Sequence, residues 1–414
     1  MIMTLFRKII ILLTVAVSVF SMSILTNLSG IVLPFAKESM SLSLSQAGVL
    51  PFAFFIAYAF MSIPAGCIHE KRSARSMMMT AFAFTALVTL IFLLFPSYGV
   101  LLFTLFISGA MMAAVQVVIN PLVRNVGGEE YFSFYLIFGQ LVYGGGSIVS
   151  PLLFTSLVTG ISSNRDTSTI INLIKKMTPP DLTWISIYWV CLLSCIVVFI
   201  LLMTIKFPKM QKSSEDIIGG LNTFLLLLKD YKVWVFFFGI FFYAGVEQGV
   251  SNWMTKFLEL YHGINPENEG AMVFSRFWLF LSIGGGLGII LIFLMDVKKL
   301  LGSFAVISMV LLALSLFGNR DIALFSFPLC GLFFAIMYPS ILSLGMNTVL
   351  EHHGALSGIL CTGICGAAVM ALLIGFVADM IGLRLAMCMI FAGLLYVLFI
   401  SFWAKPIIKN RKIF

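Results

Sequence analysis

An all-α membrane protein, with twelve helices crossing the bilayer in two bundles of six, is the fold class this chain predicts. Three features predict it: an apolar excess, the lengths of the hydrophobic runs, and the placement of the basic residues. Of 414 residues, 61% are hydrophobic and only 10% charged, with mean hydropathy +1.09, against roughly 45–50% and 25% in a soluble domain. A water-soluble globular enzyme is excluded. The loops left over are too short for a separate catalytic or nucleotide-binding domain, so an ATP-driven pump on this one chain is excluded as well.

Apolar runs bounded by polar clusters place the spans near residues 9–33, 46–68, 76–95, 98–123, 131–158, 183–205, 233–260, 271–295, 301–317, 322–350, 354–378 and 384–404. Each approaches or exceeds the roughly 20 residues needed to cross a hydrocarbon core. The first follows Arg7 and Lys8 as a signal peptide would, but its apolar run continues to Pro34, so it reads as a retained span.

With the N-terminus cytoplasmic, one side holds Arg7, Lys8, Lys71, Arg72, Arg75, Arg124, Lys206, Lys209, Lys212, Lys229, Lys232, Lys298, Lys299, Lys405, Lys409, Arg411 and Lys412, which is 17 of the 25 basic residues. The other side holds six, namely Lys37, Arg165, Lys175, Lys176, Arg320 and Arg384. The positive-inside rule then puts both termini in the cytoplasm. The net charge of +8 is a topology signal, and no nucleic-acid partner is expected.

The basic segment 207–232 separates an N-terminal bundle (1–206) from a C-terminal one (233–414). Its stretch "LNTFLLLLKDYK" reads as a short amphipathic helix at the membrane surface. The halves echo each other at an offset of about 220 residues: Pro121 with Pro339, Gly146 with Gly366, and Asn27 with Glu247. Parallel repeats of this kind build one large class of gradient-driven carriers, with the solute site between the halves near the midplane.

A polar side chain inside an apolar span is costly and usually faces the bundle interior. Asn27, Gln116, Asn120, Gln140, Tyr143, Glu247, Gln248 and Asn252 are therefore the expected site residues. Gln116 and Asn120, four apart, share a face; the adjacent Glu247 and Gln248 do not. Glu247 is the one acid well inside any span, which makes it the candidate for proton or ion coupling. Amides supply donors and acceptors without charge, a set suited to a neutral polyhydroxylated solute. Trp253 and Trp278 are candidate stacking faces or interfacial anchors.

The seven cysteines read as small packing residues, without the His or acidic neighbours a metal needs, and no cofactor is expected. Glycine groups at 144–146, 284–288 and 354–366 read as close-packing surfaces. The charged turn "GCIHEKRSAR" (66–75) and its echo "MDVKK" (295–299) read as paired gating loops.

Seven stretches in order carry a family resemblance: "TNLSGIVLPF", "LSQAGVLPFAFFIAYAFMSIPAG", "QVVINPL", "IFFYAGVEQGVSNW", "SRFWLFLSIGGGLG", "FFAIMYPSILSL" and "GAAVMALLIGFVAD". Together they resemble the fucose permease-type branch of the major facilitator superfamily, the fucose/galactose/glucose proton symporters. The resemblance implies the major facilitator fold and monosaccharide transport by alternating access, in a monomer of the bacterial plasma (inner) membrane. It places Asn120, Gln140 and Glu247 at matching family positions, with Tyr143 replacing an Asn. Two acids of the proton-coupled members are absent: Gly30 stands in place of an Asp and Gln116 in place of a Glu, and Gly284–Gly285 replaces a Gly-Arg. Coupling is expected to be uniport or through Glu247. The Met and Phe content, 23 and 41 residues, fits an exporter of amphipathic compounds as the alternative, and a non-transporting membrane sensor is a further one.

Overall fold

The computed structural model describes residues 5–42, 44–162, 169–205, 207, 221–265, 269–349 and 352–407. Most of the central basic segment, the tail charges Lys409, Arg411 and Lys412, and also Arg165, Lys206, Lys209 and Lys212, lie outside the described residues. Among those described there are helices and no strands, and 12 helices are long and apolar enough to cross a membrane. Only helices keep every amide paired within a lipid-exposed segment. The protein is an integral membrane protein.

The spans of the first half are 1 (Leu5–Ser39), 2 (Leu44–Lys71), 3 (Ala74–Leu94), 4 (Tyr98–Gly127), 5 (Phe132–Ser162) and 6 (Ser186–Thr204). In the second half, spans 7 (Tyr231–His262), 8 (Ala271–Leu294) and 9 (Val297–Phe317) are continuous, whereas the last three are segmented. Span 10 is Arg320–Phe334 with Met337–Thr348; span 11 runs from His353 to Ile381 through a tight turn at Gly363–Cys365; span 12 is Leu383–Met387 with Met389–Trp403. An additional helix, Thr169–Met177, was not foreseen, being too short to register as an apolar run.

Equivalent joints in the two halves use equivalent chemistry. Ser73 caps span 3 and Asp296 caps span 9; Ser97 caps span 4 and Asn319 caps span 10. Each side chain accepts a hydrogen bond from a first-turn amide that the helix itself leaves unpaired.

Helix packing repeats in the same way. A Cβ on Gly146 (span 5) would overlap the carbonyl of Phe20 (span 1), and one on Gly366 (span 11) that of Phe241 (span 7). Likewise Gly109 (span 4) abuts the carbonyl of Phe54 (span 2), and Gly331 (span 10) that of Phe277 (span 8). Each half is thus locked by two glycine contacts at matching places, and the Gly146/Gly366 echo is part of this set.

The Pro121/Pro339 echo has a different outcome in each half. Span 4 passes Pro121 without interruption, while span 10 breaks at Ala335–Ile336. Proline lacks the amide that would bond the carbonyl four residues back. Here that carbonyl belongs to Ala335, and Tyr338, two residues past the break, reaches Gln116 of span 4.

The paired charged turns brace helices within their own halves. Arg75 Nε donates to the carbonyl of Leu202 at 2.7 Å and Nη2 to that of Met203, covering the end of span 6; Lys298 Nζ reaches Phe402 O at 3.2 Å at the end of span 12. The helix expected in the central segment is Leu221–Leu227. Thr223, Phe224 and Leu227 are buried, and the outer residues Leu225 and Leu226 are apolar rather than polar, as suits a helix lying against lipid.

Candidate functional site

Polar side chains inside the bundle form three groups, which approach one another where Tyr143 and Tyr243 lie near Glu247 and Tyr243 lies near Tyr338. In the first half, Asn27 Nδ2 donates to Ser147 Oγ at 2.9 Å and to the carbonyl of Ser23 at 2.8 Å. Ser23 Oγ lies 3.0 Å from Ser147 Oγ, and the Tyr143 hydroxyl meets the side chains of Thr26 and Asn27. Spans 1 and 5 approach closely enough for this because Gly146 has no side chain.

In the second half, the Tyr243 phenol donates to the Glu247 carboxylate, one helical turn away. Gln248 Nε2 reaches the other carboxylate oxygen at 3.5 Å. The long amide bends back along span 7, so Glu247 and Gln248 interact even though their Cα–Cβ bonds diverge. Among the described residues no Lys, Arg or His pairs with Glu247. Glu247 is half-buried, and a carboxylate partly withdrawn from water without a cation loses part of its solvation, which two neutral donors here offset.

The third group joins the halves along one face of span 4. Gln116 Nε2 lies 2.6 Å from the Tyr338 hydroxyl. One turn on, Asn120 Nδ2 donates to Ser357 Oγ at 3.0 Å and to Cys361 Sγ at 3.5 Å. One turn further, Arg124 donates to Asn347 Oδ1. Ser133 and Ser343 are also hydrogen-bonded across the seam, and Gly358 lies against the carbonyl of Ser62. These contacts run from mid-depth to the end of the bundle where the described chain ends lie, so the halves are closed there.

Residues 15–365 match the description Major Facilitator Superfamily. The chain belongs to the major facilitator superfamily. It is similar to a glucose/galactose transporter of Brucella abortus, 26% identical over 381 residues, covering 89% of this chain and 88% of that one. It is equally similar, at 26% identity over 381 residues, to the L-fucose-proton symporter of Escherichia coli, covering 88% and 85%. Its fold matches the crystal structure of FucP in the outward conformation with TM-score 0.82 at 23% identity, covering 97% of this chain and 100% of that one.

Within this major-facilitator fold, six of the eight expected site residues enter the polar groups: Asn27, Gln116, Asn120, Tyr143, Glu247 and Gln248. Gln140 is half-buried and Asn252 exposed, and neither has a hydrogen bond to another described residue.

Other members were missed. Ser23 and Ser147 complete the first group, while Tyr243 and Tyr338, with ring centroids 6.3 Å apart, carry the second and third. Tyr58 of span 2, 4% exposed, lies among Tyr143, Cys361 and Tyr338. Arg124, counted as a loop charge, is 3% exposed within span 4. Cys361, read as a packing residue, is an acceptor on the seam. Of the two tryptophans, Trp253 lies against Gly375 in its own half, and Trp278 is buried.

Proposed function

We propose that this protein carries a neutral monosaccharide across a bacterial plasma membrane by alternating access, as a monomer with both termini cytoplasmic. One observation carries the reading: hydroxyl and amide groups from both halves converge at mid-depth around a single carboxylate. A sugar satisfies such a set because each of its hydroxyls can donate and accept. The second carboxylate oxygen of Glu247, with only the long contact from Gln248, is an open acceptor for one of them. The curated relatives named as sugar carriers support the same solute class. The groups that meet are tyrosines, amides and serines rather than Met and Phe, which favours a sugar over an amphipathic cargo. No covalent step is involved, so selectivity comes from hydrogen bonds that only the right solute completes.

Uptake of labelled glucose, galactose and fucose into proteoliposomes tests this. At least one sugar is expected to enter faster than into protein-free vesicles, in competition with its unlabelled form. Indifference to all monosaccharides, with binding of hydrophobic cations instead, overturns the reading.

Coupling rests on Glu247, the single acid in the site. Where an imposed pH gradient drives accumulation, Glu247→Gln is expected to abolish the accumulation; accumulation surviving that change removes Glu247 from any proton pathway. In the uniport case, the parent equilibrates sugar and ignores the gradient.

A further inference from the structure

Span 8 faces span 5 of the other half along a line of small residues. Gly288 meets Ile137, Gly285 meets Leu141, and Ser282 meets Gly144, where a Cβ on the glycine would strike the serine hydroxyl. The two helices run antiparallel, so each step outward along span 8 is matched by an equal step along span 5. One further turn brings Trp278 level with residues 147 and 148. Ser147 is the hydroxyl that accepts from Asn27, and Ser282 Oγ donates to the carbonyl of Trp278 one turn back on its own helix at 3.0 Å, which puts the two residues on nearly the same face of span 8.

Trp278 is 9% exposed, and its indole Nε1 is buried with no hydrogen-bond partner among the described residues. A buried indole N–H normally finds an acceptor, and leaving it without one is unfavourable. Its ring is held by Phe274 and Phe277, with centroids at 6.2 and 5.6 Å, so the donor is held in one place rather than free to turn toward another acceptor. Trp189 also has an unpartnered N–H, but it sits in span 6, which packs against spans 1, 3 and 5 of its own half.

We infer that Trp278 is a binding residue for the carried solute, its Nε1–H donating to one hydroxyl oxygen of the sugar when the sugar lies between spans 5 and 8. The inference rests on the monosaccharide reading and adds to it a donor-only group contributed by span 8. It follows that one sugar hydroxyl is recognised as an acceptor, and a solute lacking that oxygen is discriminated against at this point.

The test compares parent, Trp278→Phe and Trp278→His in proteoliposomes, using the parent's best sugar and its set of monodeoxy analogues. Loss of one neutral hydrogen bond predicts about three- to tenfold weaker half-saturation in Trp278→Phe, with Trp278→His, which restores an N–H, closer to the parent. For one deoxy analogue the parent and Trp278→Phe should bind equally, because the bond is already gone. Unchanged affinity in Trp278→Phe, or the same loss for every analogue, overturns the inference while leaving sugar transport standing. A parent that carries no monosaccharide overturns both. Should Trp278→Phe fail to fold, the parent serves alone: sugar should shield Trp278 but not Trp189 from N-bromosuccinimide, read by peptide mass spectrometry. Equal oxidation of Trp278 with and without sugar refutes the assignment.

Discussion

At the scale of single residues, the site follows from what a polar group costs in an apolar span. Asn27, Gln116, Asn120 and Glu247 were legible in the sequence because an amide or acid in hydrocarbon needs a partner, and each has one. Tyr243 and Tyr338 were not legible, since tyrosine is common in membrane helices for other reasons. Ser23 and Ser147 were hidden because a serine or threonine can bond its own helix, as Thr14 and Ser18 do with carbonyls four residues back. Arg124 was misplaced because nothing in a sequence tells a helix-end arginine that crosses a seam from one that reaches water. Among the unforeseen residues, Tyr243 gives the sharpest prediction. Its O–H is one of two donors to an unpaired carboxylate, and a hydrogen bond to a charged group contributes about 1.5–3 kcal/mol. Tyr243→Phe is therefore expected to weaken sugar binding at least about tenfold by disordering Glu247. Isothermal titration in detergent checks this, and parent-like affinity would show that the phenol does not position the carboxylate.

At the scale of elements, glycines set how closely helices cross, and structure separates those that matter from those that do not. The composition showed the clusters but not which helix each faced, because that depends on the partner's backbone. Gly366 leaves no room for a Cβ beside the Phe241 carbonyl, whereas Gly139 and Gly145 have nothing within 4 Å of one. Gly366→Ala is expected to destabilise the protein by about 1–3 kcal/mol through overpacking. Gly139→Ala and Gly145→Ala, in span 5 of the same protein, should stay within about 0.5 kcal/mol of the parent. Thermal unfolding in detergent separates the two classes; a melting point unchanged in Gly366→Ala would mean that spans 7 and 11 can move apart at little cost.

At the scale of the whole molecule, matching caps and glycine contacts recur in the two halves of the chain, and the seam between them decides which side is closed. Span 4 lays Gln116, Asn120 and Arg124 along one face, and each reaches a group of the other half. None of these cross-seam bonds is an ion pair, so parting the halves need not separate opposite charges in a medium of low dielectric, where that is expensive. The neutral bonds of Gln116 and Asn120, each contributing about 0.5–1.5 kcal/mol, and the bond from the charged Arg124, about 1.5–3 kcal/mol, can be broken and replaced by water as the end opens. If alternating access parts the halves here, tying them together must stop transport without harming the site. Ser133 and Ser343 offer the tie: both are buried and their hydroxyls are hydrogen-bonded across the seam, a separation that two cysteine sulfurs can bridge. In Ser133→Cys with Ser343→Cys, an oxidant is expected to form the disulfide and reduce sugar uptake to background, and dithiothreitol to restore it. Each single variant, carried through the same oxidation, should transport as the parent does and so account for the native cysteines. Equilibrium binding of sugar by the oxidised double variant should persist, because the polar groups at mid-depth lie beyond the tie. Transport continuing through a fully formed disulfide would mean that the halves do not separate at this end, and the seam along span 4 would then be a static joint rather than a gate.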